Sequence, residues 1–445
     1  MNNDIITQNI KLMDEKMIID KHYQVKEDNR LLDVYEVSRQ FEPVICKRCG
    51  ALVCKIKEYK KRTIRTFINF NIPIKFVYNQ RRLLCDCGKT MCENNTMVGK
   101  RKAISNLTRL NILNLCKKKI SFKDISNITN CTSSTVIDIF MSAAGRDRLK
   151  LTDVICVDEF YSNIRADDKY ACIIGDPQSN KIIDIIDSRH YTVLEEYLSK
   201  IPLEERQIVK IVIIDMWMPY KVIFSRYCPN CIIAVDPFHW IKQATDNFHK
   251  IRKKVELQTY NPKVKSFLRN QWRIFSKYNK HLNEKKYYRK STKSDMSELD
   301  IVEYCINSDK RLEVAWHLLQ KIYKFEKECT EQNAPSELKD LIEELEASGY
   351  EEMIDIAKTY RNWFTEICNS FKKYGTENKR CSNGFIEGKN SFIKTINKIA
   401  FGFNNFAIYK ARILYISDND GIHIKDDKEN RKKFKKIKQK RKGGK

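Results

Sequence analysis

Three acidic residues stand where phosphoryl-transfer chemistry needs them. Asp158 ends the apolar run Val154–Val157, and Asp215 ends the run Ile211–Ile214. A carboxylate at the end of a buried strand is costly unless a cation or hydrogen-bond donors satisfy it. If the two strands are neighbours, their oxygens converge, and hard ligands of this kind favour Mg2+ or Mn2+. Glu387 is the third acid, in the segment from Cys381 to Ser391. There Asn383, Glu387, Asn390 or Ser391, and Lys394 fall at helical spacing on one face, while Phe385, Ile386, Phe392, Ile393 and Ile396 cover the other. Such a helix packs on a sheet by its apolar back and turns carboxylate, amide and ammonium groups towards a phosphodiester. Singly, each acid also reads as a strand-end turn or a solvated helical residue; the set of three points to a metal site.

A second chemistry is carried by cysteine. Of sixteen cysteines, six fall in residues 45–95, at positions 46, 49, 54, 85, 87 and 92. Cys46 and Cys49 form one close pair, Cys85 and Cys87 another, and a β-rich stretch separates them. Four soft thiolates favour tetrahedral, structural zinc. Cys92 is an alternative to Cys87 as fourth ligand, Cys54 is a spare, and the bland reading is ordinary buried cysteine. Cys228 and Cys231 share the spacing of a knuckle but lack a second pair, which makes them core residues. Cysteines scattered through a large chain without a secretion signal imply reduced thiols and not a disulfide framework.

The charge suggests an anionic partner: nucleic acid, an acidic membrane surface or an acidic protein. Lys plus Arg number 83 against 57 acidic residues, a net charge of +26, while 42% of residues are hydrophobic. This is a folded polycation whose surplus calls for an anionic partner. Residues 121–142 have the proportions of two helices joined by a tight turn. The second begins with Thr132, Ser133, Ser134 and Thr135, small donors suited to phosphate or base contact in a major groove. Basic stretches at 100–102 and 117–119 precede it. Apolar runs are far shorter than the roughly 18 residues of a membrane span. Met1–Asp20 shows no signal-peptide pattern, so a cytoplasmic protein is expected.

The elements that position these groups fall into zones. Residues 1–44 read as an N-terminal arm or short helices, 45–95 as a zinc-binding β domain, and 96–150 as a helix-turn-helix domain. Five short β-branched segments over 151–255 read as one mixed sheet, 256–375 as an all-α insertion, 376–420 as a return to the core, and 421–445 as a basic tail. Trp272, Trp316 and Trp363 in the insertion offer faces for an unpaired base, although helical tryptophans more often belong to a core.

At this point the residues carry a likeness. Val157-Asp158-Glu159-Phe160, Ile214-Asp215-Met216-Trp217 with Pro219-Tyr220, Val235-Asp236-Pro237-Phe238-His239 and Ser382–Asn390 resemble, in that order, the signatures of the ISL-three family of bacterial insertion-sequence transposases. Gly402-Phe403-Asn404-Asn405-Phe406 and Arg412-Ile413-Leu414 are similar to that family's C-terminal block. The resemblance implies an α/β, RNase H-like mixed-sheet catalytic core of DDE type with an all-α insertion, behind a zinc-binding β domain and a helix-turn-helix. Asp158, Asp215 and Glu387 take its catalytic, metal-holding places. Asp236 and His239 match an Asp-x-x-His element with a supporting role, joined by Asn383, Asn390 and Lys394. Also implied are Mg2+ or Mn2+, structural Zn2+, and double-stranded DNA as partner, both terminal inverted repeats and target. A homodimer or higher oligomer acting on the nucleoid completes the picture. Two readings from other classes compete: a zinc-finger and helix-turn-helix regulator without catalysis, and a metal-dependent nuclease that does not join ends.

Overall fold

The computed structural model describes residues 13–418, apart from 28, 29, 70, 71, 163, 165, 166, 291 and 401. The basic segment 421–445 therefore lies outside the described residues. The described residues form two compact units, 148–394 and, separately, 13–147 with 395–418. Among the described residues no helix is long and apolar enough to cross a membrane.

The first unit is built on a β-sheet. Strands β1 (Met17–Glu27) and β2 (Arg30–Arg39) precede the two-residue ladder of β3 (Val44–Ile45) and β4 (Leu52–Val53). The long hairpin β5 (Ile56–Asn69) and β6 (Ile72–Leu84) follows, and β7 (Thr90–Cys92) pairs with β6. The order is β1-β2-β6-β5. Alternation explains the fold locally: Ile74, Phe76 and Tyr78 of β6 all point inward. Residues 1–44 were expected as an arm or short helices, and the structure corrects this. Tyr35 and Val37 of β2 join the β6 core, through a parallel pairing of β2 with β6 that local pattern does not reveal. Strand β1 is exposed over most of its length and β2 buries Asp33, Val34 and Tyr35 in succession, so neither strand shows the alternation that marks a half-buried strand.

Three helices follow: α1 (Asn106–Leu115), α2 (Phe122–Thr129) and α3 (Ser133–Ala143). Ser121 and Asp124 form a capping box at the start of α2, and Asn130 ends it in the left-handed region. Ile112, Ile125, Val136 and Phe140 form their common core, into which Ala411 of the C-terminal helix Phe406–Ser417 packs. The Arg412 guanidinium donates to the carbonyls of Lys118 and Ile120, each at 3.0 Å. Residues 395–418 thus pack with α1–α3, whereas the sequence suggested that they complete the core begun at 151.

The second unit carries a five-stranded sheet: β8 (Val154–Tyr161), β9 (Tyr170–Asp176), β10 (Lys181–Ile186), β11 (Ile211–Ile214) and β12 (Ile232–Val235). Its order is β10-β9-β8-β11-β12. The first three strands are antiparallel, and β11 runs parallel to both β8 and β12. Helices α4 (Tyr191–Ser199) and α5 (Met218–Tyr227) connect strands. Helix α6 (Pro237–Gln258) starts directly after β12 and runs through the boundary expected at 255/256. A mostly helical stretch follows, α7 (Pro262–Asn270), α8 (Glu298–Ile306), α9 (Lys310–Glu328), α10 (Ala334–Ala347), α11 (Glu351–Asn362) and α12 (Phe364–Asn369). It is not wholly helical, because β13 (Tyr287–Arg289) and β14 (Ser294–Met296) form a hairpin within it. Its apolar residues merge with those of the sheet in one continuous core. Trp316 and Trp363 belong to that core, at 5% and 6% exposure, which leaves Trp272 exposed.

Helix α13 (Gly384–Ile399) lies on this sheet by the N-terminal part of the apolar face expected, with Ile386 and Ile393 buried. Its approach is close enough to require glycine opposite. A Cβ at Gly175 of β9 would lie 2.5 Å from the Phe385 ring and 2.9 Å from Ile386. Gly175→Ala is expected to lower stability by about 1–3 kcal/mol through overpacking and to push the N-terminal end of α13 off the sheet. Thermal unfolding checks the first effect, and faster amide hydrogen exchange over residues 383–387 checks the second.

Candidate active site

Sheet register sets the acids. Cys156 of β8 pairs with Ile213 of β11, so Asp158 and Asp215 each stand two residues past a matched pair, side by side. Asp158 does not end its strand as the apolar run suggested, because β8 continues through it to Tyr161 by pairing with β9, whereas Asp215 sits at the carboxyl end of β11. Ile214 pairs with Val235, which brings Asp236 level with Asp215. Open α/β sheets gather ligands at such ends. Oxygens of Asp158, Glu159 and Asp215 lie within 4.8 Å of one another, and ligand atoms of Asp215, Asp236 and His239 do likewise.

Amides from α13 lock this cluster. Asn383, just ahead of the helix, donates from Nδ2 to Asp215 Oδ1 at 3.2 Å, and its backbone N–H donates to Asp236 Oδ1 at 3.1 Å. Two helical turns later, Asn390 Nδ2 donates to Asp158 Oδ2 at 2.6 Å. His239 sits in the first turn of α6, its Nε2 2.9 Å from Asp215 Oδ1. Glu387 lies between the two asparagines on the same helix face, but it is exposed and outside both groups of converging ligand atoms. Its charge is felt at Asp236. Lys394, exposed a turn beyond Asn390, makes none of these contacts.

Electrostatics follow from crowding and burial. Burial pushes the Asp158 carboxyl up to about 8, with the charge of Asp215 adding to it. Asp236 rises to about 6, chiefly through burial. Glu159 is raised by burial and by Asp215, against the pull of Arg189. For His239, burial works downward, but its hydrogen bond to Asp215 and the surrounding carboxylates outweigh this and raise it. Clustered carboxylates that resist ionisation are what a divalent cation neutralises. The donor set fits one: besides the carboxylates, Glu159 Oε2, Asn383 Oδ1 and Asn390 Oδ1 are buried oxygens without a hydrogen-bond partner among the described residues.

A stability effect follows from the raised Asp158. An ordinary aspartate titrates at 3.8, and this one near 8, so the folded chain retains a proton that the unfolded chain has already released. Metal-free stability is therefore expected to fall as pH rises from about 4 to about 8. Thermal unfolding at several pH values, with and without Mg2+, checks this. The ion should flatten the slope, and Asp158→Asn should make it shallower, leaving the smaller part due to Asp236 and Glu159.

In the first unit the cysteine pairs meet. Cys46 and Cys87 sulfurs are 3.7 Å apart, Cys49 and Cys85 sulfurs 3.4 Å apart, and all four lie within 4.8 Å of one another. Each pair is followed by a left-handed glycine, Gly50 at φ 74° and Gly88 at φ 79°, which turns the chain back. Backbone N–H groups of Cys49 and Arg48 pull the Cys46 thiol down to about 6. The quartet is compatible with a zinc site. Cys92 and Cys54 are exposed and lie outside it.

Thr132, Ser133, Ser134 and Thr135 occupy the N-terminal turn of α3. Thr132 is its cap: its hydroxyl accepts from the Thr135 N–H and bonds the hydroxyls of Ser134 and Thr135. That hydroxyl therefore has a structural task. The same turn borders a cleft of about 980 Å³ that is also lined by Arg65, Lys75, Lys123, Asn127 and Asn130.

Sequence reasoning missed Glu159 and Arg189. In a strand, Glu159 should face away from Asp158, and a lone arginine thirty residues further on belongs to no pattern. Arg189 Nη1 donates to Glu159 Oε1 at 2.9 Å.

A sheet with one carboxylate within β8 and another at the end of the neighbouring β11, faced by a helix bearing an acid between two amides, defines a candidate metal-dependent phosphoryl-transfer centre. A transposase family model, that of the ISL3-type DDE enzymes, matches residues 155–413. The chain belongs to that family, as the order of its motifs suggested. It is also similar to the transposase for insertion sequence element IS1001 of Bordetella parapertussis, with 22% identity over 223 residues that cover 48% of this chain and 53% of that protein. The match thus spans about half the length of that curated relative.

Proposed function

We propose that this protein is a DNA transposase that binds the ends of its own element, cuts them with the help of divalent ions and joins them to target DNA. What carries the reading is the meeting of Asp158 and Asp215 with the Asn383–Glu387–Asn390 face of α13. The strand order β10-β9-β8-β11-β12 supports an RNase H-like core. Asp158 and Asp215 would hold Mg2+ or Mn2+, with Glu387 as the third carboxylate offered by the facing helix. When bound, the ions make the attacking oxygen more nucleophilic and stabilise the leaving one. Asn390 and Asn383 fix the angles of Asp158 and Asp215, His239 braces Asp215, and Asp236 anchors the start of α13.

In the first step, water attacks phosphorus at the element's end, the P–O3′ bond breaks, and a free 3′-hydroxyl remains. In the second, that hydroxyl attacks a phosphodiester of the target and displaces its 3′ oxygen. No bond to protein forms in either step. End recognition falls to the zinc-stapled sheet and to the helix-turn-helix of α2 and α3, with Ser133, Ser134 and Thr135 near the DNA and Thr132 holding their turn. Joining two ends calls for a homodimer or larger assembly. The test is a labelled duplex of the repeat that flanks the gene, incubated with protein and Mg2+. Cleavage at the repeat boundary, followed by covalent joining of the 3′ end to a second duplex, is expected. Cutting without joining would reduce the protein to a nuclease, and binding without cutting would reduce it to a regulator.

A further inference from the structure

The acidic centre must admit a polyanion. Asp158, Glu159, Asp215 and Asp236 crowd it, and repulsion from a DNA phosphate is only partly offset by bound cations. Arg189, which the proposed function leaves without a role, is the guanidinium that reaches this cluster through Glu159. Its mounting is rigid. The guanidinium lies 4.3 Å from the Tyr170 ring centroid and 5.1 Å from that of Trp217, two residues beyond Asp215. Its backbone N–H donates to Asp168 Oδ2 at 3.0 Å, and the same buried carboxylate accepts from Ser188 Oγ at 2.5 Å and from the Tyr170 N–H at 2.9 Å. Arginine and ring are thereby tied to one anchor.

This mounting exceeds what a counter-ion for Glu159 requires. A partly exposed ion pair adds little stability, and this arginine keeps 29% of its side chain open to solvent. Guanidinium offers five N–H donors in a planar fork. Among the described residues, Glu159 is the side-chain acceptor that the fork uses. A fork held against aromatic faces, with donors to spare, matches the two non-bridging oxygens of a phosphodiester.

We propose that Arg189 grips the non-bridging oxygens of the phosphodiester to be cut, as a substrate-positioning residue; this rests on the transposase reading. The experiment compares the full-length wild type with Arg189→Ala in binding the gene-flanking repeat. Ca2+ replaces Mg2+, and the duplex is used either unmodified or with one uncharged methylphosphonate at the position that the wild type cuts. Wild type should lose about tenfold in affinity when that charge is removed, and Arg189→Ala should bind both duplexes with the same weakened affinity, as expected for loss of one charge-assisted contact. In Mg2+, added guanidinium should restore part of the lost cleavage, and Arg189→Lys should fold normally and cut at an intermediate rate. Equal loss on both duplexes, or on neither, overturns the assignment while leaving the transposase reading intact. A wild type that never cuts the repeat overturns both.

Discussion

Asparagine in place of Asp215, or of Asp158, is expected to reduce strand cleavage on the order of a thousandfold or more while end binding stays within about twofold, because a cation ligand is lost and a neutral amide of the same shape remains. The two positions should behave alike for different local reasons. Asp158 is held by Asn390, and Asp215 by Asn383 and His239, so each substitution leaves a framework that can hold an amide. Loss of activity should come without loss of fold. At neutral pH, Asp158→Asn should even unfold at a higher temperature than the metal-free wild type, since it removes a buried carboxyl whose ionisation burial and Asp215 both oppose. A centre that gives up stability for chemistry has this signature. Cleavage of an end-labelled duplex, read beside a binding isotherm and a thermal melt, separates the effects. Normal cutting by either variant would remove that residue from the centre.

Stripping metal from the cysteine quartet is the second large effect. Cys46 and Cys85 belong to a small core with Val53 and Leu83, which has little apolar material of its own. A structural zinc contributes its binding free energy directly to folding, on the order of 10 kcal/mol. The purified protein is expected to carry one zinc per chain through these thiolates. Ser at Cys46, Cys49, Cys85 or Cys87 should release it, lower the melting temperature and abolish end binding. Ser at Cys92 should do none of these. Zinc released to a chromogenic chelator after thiol modification gives the count. A metal-free preparation, or release from Cys92→Ser but not from Cys87→Ser, would contradict the assignment.

Asp215 was legible in the sequence because a strand end is local: an apolar β-branched run closed by Asp says where the side chain sits. Asp158 closes a similar run, but β8 continues through it to Tyr161 by pairing with β9, which the run alone does not reveal. The amphipathic helix was legible from its spacing, and its asparagines do meet the aspartates. Chain contacts between distant segments were not. Tyr35 and Val37 find β6 some forty residues away, and Ala411 enters the core of α1–α3; nothing in local periodicity encodes either partner. Cys87 could not be chosen over Cys92 by spacing, since the selection is made by the turn that Gly88 closes. Arg189 acquires its meaning from Tyr170, Trp217 and Glu159, which three different elements deliver.

Iron mapping tests the central claim most directly. Fe2+ substituted for Mg2+ in the full-length protein bound to its end duplex, then activated with ascorbate and peroxide, breaks the backbone beside the ion. The account predicts three clusters of breaks, near Asp158, near Asp215 and near Glu387, all suppressed by excess Mg2+. Breaks confined to the first two positions, with the segment around Glu387 intact, would show that the exposed glutamate never joins the aspartates.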